Sequence, residues 1–275
     1  MNPLVSVAIP VYNNEDTIKA TVDSVLSQTY RPIELVITDD ASTDGSSKII
    51  SNIEKQDGIT IKAVTNDKNL GMSGNWNKAL SLCTGKYIKL LCADDLIDKD
   101  LIRREAEILE SHPEVLSVES DTAFVNSEGK VKGSYKRYKK DKRVSGREVV
   151  RYSLFHRDYL GAPLANTFRA DTRTRAEGFN KDFKYILDYE FFMRLAIEGD
   201  VYIIHEPLNF FRLRTGSNTS KIFKGEEGRA YIEEHRRLAQ EAAQKGVIKD
   251  NEVDRSVRIR KLMSFLGRIY LKLHM

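Results

Sequence analysis

Cysteine is scarce in this chain. Two residues in 275, Cys83 and Cys92, cannot build a disulfide framework, and neither belongs to a C-x-x-C pair. A secreted disulfide scaffold, a zinc ribbon and a thioredoxin-like redox centre are thereby excluded, and a reducing compartment is expected. Long apolar runs are also missing. The longest uncharged stretch, Met1 to Asn14, contains Pro10 and ends in two Asn, so neither a membrane-spanning helix nor a signal peptide is expected. Charge of one sign is not in excess: 44 Lys and Arg against 40 Asp and Glu leave a net charge of +4, too little to imply a nucleic-acid partner. Neither G-x-G-x-x-G nor G-x-x-x-x-G-K occurs, which argues against a dinucleotide oxidoreductase and a P-loop nucleotidase. No internal repeat is found. What remains is a cytoplasmic globular chain with 41% hydrophobic and 31% charged residues, long enough for two domains or one elaborated α/β unit.

Its first hundred residues alternate regularly. Val5–Ile9 and Glu34–Thr38 are short apolar runs that read as buried strands, stopped by Pro10 and by Asp39-Asp40. Between them Thr17 to Gln28 has helical spacing. Ser46 to Glu54 then reads as helix, Thr60 to Val64 as strand, Met72 to Cys83 as helix and Tyr87 to Leu91 as strand. The alternation predicts a parallel sheet with crossover helices. After Asp95, residues 98 to 112 read as helix and Val115 to Val118 as strand. Residues 127 to 147 read as a surface loop, because Tyr135 to Arg143 holds six Lys or Arg, one Asp and two Tyr with weak periodicity. Apolar patterning returns over Val149 to Phe155 and Phe191 to Ile197. Two strands follow, Val201 to Ile204 and Leu208 to Phe211, and the chain is helical and highly charged from about Gly225.

In open sheets of this kind ligands bind beyond the carboxyl ends of the strands. There the sequence sets Pro10-Val11-Tyr12-Asn13, Asp39-Asp40, Asn69-Leu70-Gly71 and Asp94-Asp95, so carboxylates converge on one rim. Two adjacent Asp pairs repel unless a cation or hydrogen-bond donors compensate them. One reading is turn and helix-capping Asp. The other is a hard divalent cation, Mn²⁺ or Mg²⁺, held by one or two carboxylates and carrying diphosphate oxygens. Asp40 to Gly45 begins like a calcium loop, but Ser51 stands where that loop needs a bidentate Glu.

The segments Val5 to Asn13, Ser24 to Tyr30 and Glu34 to Gly45, followed in order by Asn69-Leu70-Gly71, Gly85-Lys86-Tyr87-Ile88 and Ala93-Asp94-Asp95, resemble family 2 glycosyltransferases. The resemblance spans roughly residues 4 to 220. It implies a GT-A fold, a mostly parallel Rossmann-like α/β sheet flanked by helices. A nucleotide-sugar-binding half would occupy residues 1–110, an acceptor-binding half 111–220, and a helical, basic amphipathic extension 221–275. It further implies that Pro10, Tyr12, Asp39, Asp40, Ser42, Asn69, Gly71 and Asp94 line the donor pocket. Tyr12 would lie on the base, Asp39 would accept from a uracil or thymine ring N–H, and Asp94 would face the ribose or sugar. Asp95 would ligate the metal. The family pattern has a further Asp where this chain has Cys92.

In the second half, Ile186 to Ala196 resembles the family segment that carries the catalytic base, which puts that role on Asp188; helix capping is its structural alternative. Glu190, turned about 200° from Asp188 on a helix, is expected in a structural salt bridge. Phe211 to Ser217 resembles a further motif with Arg214 in place of His, and Arg212 or Arg214 would neutralise diphosphate charge. Near the end Ile259, Leu262, Met263, Leu266, Ile269, Tyr270 and Leu273 share one helical face, and no acidic residue follows Asp254. Residues 255–273 therefore fit an interfacial helix at the inner face of the plasma membrane, or one packed on the catalytic body or on a second subunit. The expected activity is inverting, metal-assisted transfer of a sugar from a UDP- or dTDP-sugar to a hydroxyl of a saccharide or lipid-linked glycan. The alternative is a nucleotide-sugar-binding scaffold weakened by Cys92, Leu187 and Arg214.

Overall fold

The computed structural model describes residues 2–126, 128–156, 159–160, 162–213 and 225–274. Strand β1 (Val5–Val11) is buried along its whole length, as a continuous Val/Ile-rich run in a doubly covered sheet must be. Helix α1 (Ile18–Leu26) crosses back to β2 (Ile33–Asp39), and α2 (Ser46–Ser51) leads to β3 (Ile59–Thr65). Helix α3 (Gly71–Leu82) and β4 (Tyr87–Leu90) complete a parallel β3-β2-β1-β4 half-sheet, as the alternation predicts. The second helix is three residues shorter than its expected span to Glu54. The chain closes it with backbone bonds from Asn52 N to Ile49 O and Ile53 N to Ile50 O, then turns at Gly58.

Beyond β4 the direction changes. The two-residue β5 (Leu96–Ile97), α4 (Leu101–Ser111) and the long β6 (Val115–Val125) are followed by β7 (Val131–Tyr135), β8 (Lys142–Ser145) and α5 (Gly146–Phe155). Strand β9 (Asn166–Arg169) runs antiparallel between β4 and β6, joining the two halves into one sheet ordered β3-β2-β1-β4-β9-β6-β10-β5. After α6 (Arg173–Glu177) and α7 (Leu187–Glu198), β10 (Asp200–Arg212) pairs parallel with β6. Sequence patterning reads β10 as two strands. They are one, with register shifts around Pro207, where a residue without an N–H fits only at a bulge.

The expected surface loop over 127–147 needs a larger correction. It contributes two strands, and Arg137, from the middle of the basic run, is buried. Its backbone N–H donates to Asp121 at 3.0 Å, its Nη1 to Ser120 O at 2.9 Å and its Nε to Tyr159 O at 2.9 Å, while Nη2 stands 3.4 Å from Glu119. A buried guanidinium needs such partners; Glu119, Ser120 and Asp121 reside on β6, and Tyr159 lies beyond α5.

Two apolar layers cover the sheet. Val5, Val7, Ile9 and Val11 point with Ile33, Leu35 and Ile37 toward α1 and α4, whereas Ala8, Val36, Ile88 and Phe168 meet α3, α5 and α7. Helices α8 (Gly225–Gln244) and α9 (Val253–His274) pack outside α7 and α5. No described helix is long and apolar enough to cross a membrane.

A further ion pair is buried between β4 and α4. Lys89 on β4 and Glu105 on α4 are both fully buried, 3.0 Å apart, and Thr167 of β9 donates to Glu105 at 2.6 Å. Burial pulls the Lys89 ammonium down and pushes the Glu105 carboxyl up, each opposed by attraction to the other. Removing one partner strands the other. Lys89→Met is expected to lower unfolding free energy by about 3–5 kcal/mol, and Lys89→Met/Glu105→Leu to recover most of that loss. Urea midpoints of the three proteins check this; equal midpoints for the single variant and wild type would refute it.

Candidate active site

The carboxyl ends of β1, β2 and β4 open on one rim, and the loops there are stitched by side chains. Asn13 N–H donates to Ser42 Oγ at 3.0 Å, Thr43 N–H to Asn13 Oδ1 at 2.8 Å, and Asn14 N–H to Ser46 Oγ at 2.9 Å. Asn13 and Ala41 both take positive φ, the cost of turning two strand ends within hydrogen-bond reach of each other. Pro10 is buried inside β1, whereas Tyr12, just past its end, is 48% exposed.

Asp39 and Asp40 are both buried, with different partners. Asp39 accepts from Ser42 N–H at 3.2 Å and from the Ser47 hydroxyl. Asp40 turns away, accepting from Asn66 Nδ2 at 2.8 Å, Leu70 N–H at 2.8 Å and Gly71 N–H at 3.0 Å. It thus holds the loop that carries Asn69. Gly71 has φ +74°, a conformation that favours glycine, and its N–H also meets Asn69 Oδ1 at 2.9 Å. Asn75 completes the clamp: its side-chain amide donates to Val11 O and Thr38 O, at the ends of β1 and β2.

Past β4 the chain makes a tight turn in which Asp95 N–H donates to Cys92 O at 3.1 Å. The hydroxyls of Thr17 and Thr21 on or beside α1 both donate to Ala93 O, at 2.9 and 3.0 Å. The turn places ligand atoms of Cys92, Asp94 and Asp95 within 4.8 Å of one another. Metal–oxygen bonds of about 2.0–2.6 Å allow one cation to touch donors at that separation, and two carboxylates suit a hard divalent ion. Arg212, at the end of β10, reaches the same turn: its N–H donates to Asp95 Oδ1 at 3.0 Å and its Nε to Asp94 O at 2.9 Å.

Asp188 approaches from the other side. It lies in the first turn of α7, half-buried, with Oδ1 accepting from Tyr189 N–H at 2.9 Å. The Cys92 thiol is pushed well above its usual range, first by burial and then by the charges of Asp95, Asp94 and Asp188. Glu190, two residues on, is buried against Arg194, with contacts of 2.5 and 3.1 Å, in the expected salt bridge. Arg214 lies outside the described residues.

Sequence reading misses one contributor. Glu234 of α8 accepts from the N–H groups of Lys184, Tyr185 and Ile186 at 2.8, 2.8 and 3.1 Å, immediately before α7 begins. A carboxylate there satisfies donors that a helix start leaves open and fixes the entry of the helix bearing Asp188. Nothing in local spacing marks it, since its partners are about fifty residues away.

Comparison with known proteins bears on the sequence and on the fold. The sequence profile described as "Glycosyl transferase family 2" fits residues 6–160. A 92-residue stretch is 48% identical to the Escherichia coli UDP-Glc:alpha-D-GlcNAc-diphosphoundecaprenol beta-1,3-glucosyltransferase WfaP, covering 34% of this chain and 36% of that protein. Among solved structures, Staphylococcus aureus TarS 1–349 in complex with UDP-GlcNAc superposes with a TM-score of 0.71 at 18% identity, over 92% of this chain and 70% of that one. The mannosyltransferase PcManGT from Pyrobaculum calidifontis, in complex with GDP-Man and Mn²⁺, gives 0.63 at 18% identity, over 98% and 81%. The fold is the GT-A fold of these enzymes. With more than half of its length matched by the profile, the chain belongs to glycosyl transferase family 2.

Proposed function

We propose that the chain transfers a sugar, with inversion, from a UDP- or dTDP-sugar to a hydroxyl of a saccharide or lipid-linked glycan acceptor. The observation that carries this reading is that the turn after β4 gathers the ligand atoms of Cys92, Asp94 and Asp95 within 4.8 Å of one another, with Arg212 from the end of β10 bonded to it. Asp188, in the first turn of α7, is the base of this reading.

Each residue has a role in it. Tyr12 stacks on the base, and Asp39, with Ser42 beside it, accepts from the base ring N–H. Asp40 and Gly71 shape the loop of Asn69 against the nucleotide, and Asp94 faces the ribose. Asp95 and Asp94 would hold a Mn²⁺ or Mg²⁺ ion, which supplies charge neutralisation to the leaving diphosphate. Arg212 holds the Asp95 carboxylate through its backbone N–H and fixes the turn through its guanidinium on the backbone oxygen of Asp94. Asp188 takes the proton of the acceptor hydroxyl as that oxygen bonds to the anomeric carbon. The carbon–oxygen bond to the diphosphate breaks with its electron pair leaving on the nucleotide. One displacement from the far side inverts the centre. The UDP donor and diphospholipid acceptor in the name of the Escherichia coli relative support this substrate class.

The C-terminal extension supports a membrane-facing acceptor. Helix α9 turns Val253, Ser256, Val257 and Ser264 inward, and Ser256 bridges His235 of α8 and Leu154 O of α5. The outward side carries Leu262, Phe265 and Leu266, each more than half exposed, with Met263 beside them. Of the apolar stripe, Ile259 packs on the catalytic body with those inward residues, and these four stay outside. Six Lys or Arg and no carboxylate after Asp254 suit an anionic bilayer surface. The side chains of Ile269, Tyr270 and Leu273 lie outside the described residues.

Three measurements test this proposal. In calorimetry, UDP is expected to bind wild type more tightly with Mn²⁺ than without it, and Asp95→Ala to abolish the difference. Metal-independent binding would move phosphate recognition to the arginines. Asp188→Asn is expected to lower kcat by about 10²–10⁴-fold with donor affinity retained. Donor binding with no turnover by wild type on any acceptor would favour the scaffold reading. Phosphatidylglycerol vesicles are expected to sediment the protein at low salt, less so at high salt, and not to sediment Leu262→Asp/Leu266→Asp. A concentration-dependent dimer without vesicle binding would assign the face to a second copy.

A further inference from the structure

The residue that departs from the family pattern at the carboxylate turn is a cysteine, and its surroundings give it a use. Cys83, the other thiol of the chain, is buried in the core and its Sγ donates to Ala79 O at 3.3 Å. Cys92 is only half-buried, and its sulfur is gathered with the carboxylates of Asp94 and Asp95. Hydrogen bonds from the protein hold its turn. The turn is closed by the bond from Asp95 N–H to Cys92 O, and Ala93 O is held by Thr17 and Thr21. Sulfur and carboxylate donors thus stand within 4.8 Å on a pinned turn.

Resting on the cation site proposed above, we infer that Cys92 makes this centre a mixed thiolate–carboxylate site that selects soft divalent cations, Zn²⁺ and Cd²⁺, over Mg²⁺. Zn–S bonds of about 2.3 Å and Zn–O bonds of about 2.0–2.2 Å add to about 4.5 Å, so small side-chain rotations bring the three donors onto one ion. Sulfur is a good ligand for Zn²⁺ and Cd²⁺ and a poor one for Mg²⁺. With Mg²⁺ the centre has its carboxylates alone, whereas a soft ion gains a third protein ligand and leaves its fourth position to solvent or phosphate. Tight occupancy by Zn²⁺ would then displace the ion that supports turnover, making the enzyme sensitive to zinc where an all-carboxylate relative is not. Cys92→Asp reverses the preference.

The test is a titration of the intact protein with Cd²⁺, followed through the ultraviolet thiolate-to-cadmium charge-transfer band. Wild type is expected to develop the band with one equivalent of Cd²⁺, and Cys92→Ser to show none. Zn²⁺, added as competitor, is expected to bind the variant at least about tenfold more weakly than wild type. A second readout needs no variant: one equivalent of Zn²⁺ should protect Cys92 from iodoacetamide, as mapped by mass spectrometry, and the same amount of Mg²⁺ should not. A band that survives in Cys92→Ser, or alkylation of Cys92 unaffected by Zn²⁺, overturns the inference. UDP calorimetry on the same wild-type sample separates the two proposals. Nucleotide binding without a cadmium band rejects only the soft site, and a band without nucleotide binding rejects only the donor reading.

Discussion

Mutual repulsion among carboxylates is the constraint around which this structure is arranged. Asp39 and Asp40 at the end of β2 and Asp94 and Asp95 past the end of β4 belong to one rim of one sheet, and crowded like charges fold together only where donors meet them. The chain answers each differently. Asp40 receives three hydrogen bonds from the 66–71 loop, and Asp39 receives one N–H and one hydroxyl. Asp95 takes an N–H from the far end of β10. Asp40 is thus committed to holding a loop, while the Asp94–Asp95 turn keeps its donor atoms gathered with a thiol, which is the arrangement a cation completes.

How much of this is legible in sequence follows from distance along the chain. The parallel half-sheet, the Asp pairs at strand ends and the Glu190 salt bridge are written in local patterns, because strand period, turn residues and helical spacing all act over a few positions. The clamp that makes the rim rigid is not. Asn75 reaches Val11 and Thr38, and Thr17 reaches Ala93, across 37 to 76 residues. The basic segment from Tyr135 to Arg143 illustrates the same limit. Composition marks it as solvated, and most of its side chains are exposed, but the buried Arg137 belongs with Glu119 and Asp121 on β6. A charged residue inside is recognised only by its partners.

The C-terminal helices show a subtler failure of periodicity. Apolar spacing in α9 picks out Leu262, Met263 and Leu266, yet the face that packs inward is built from Ser256, Ser264 and two valines. The larger side chains were left outside because small residues let α9 approach α5 and α8 closely enough for the His235–Ser256–Leu154 chain of hydrogen bonds. Meanwhile α8 reaches inward through Glu234 to the start of α7. The extension is therefore continuous with the site: one helix sets the entry of the Asp188 helix and the next offers an outer apolar face.

The contact between Arg212 and Asp95 spans 117 positions of chain. Chain closure of that length costs entropy before any contact repays it, so such pairings form late in folding. During synthesis the Asp94–Asp95 turn therefore emerges long before its closing N–H exists, and the nascent domain carries an anionic rim whose last strand is still missing. The turn that gathers Cys92, Asp94 and Asp95 receives its last hydrogen bonds only with β10. The order of emergence thus delays completion of the rim until nearly the whole sheet has been laid down.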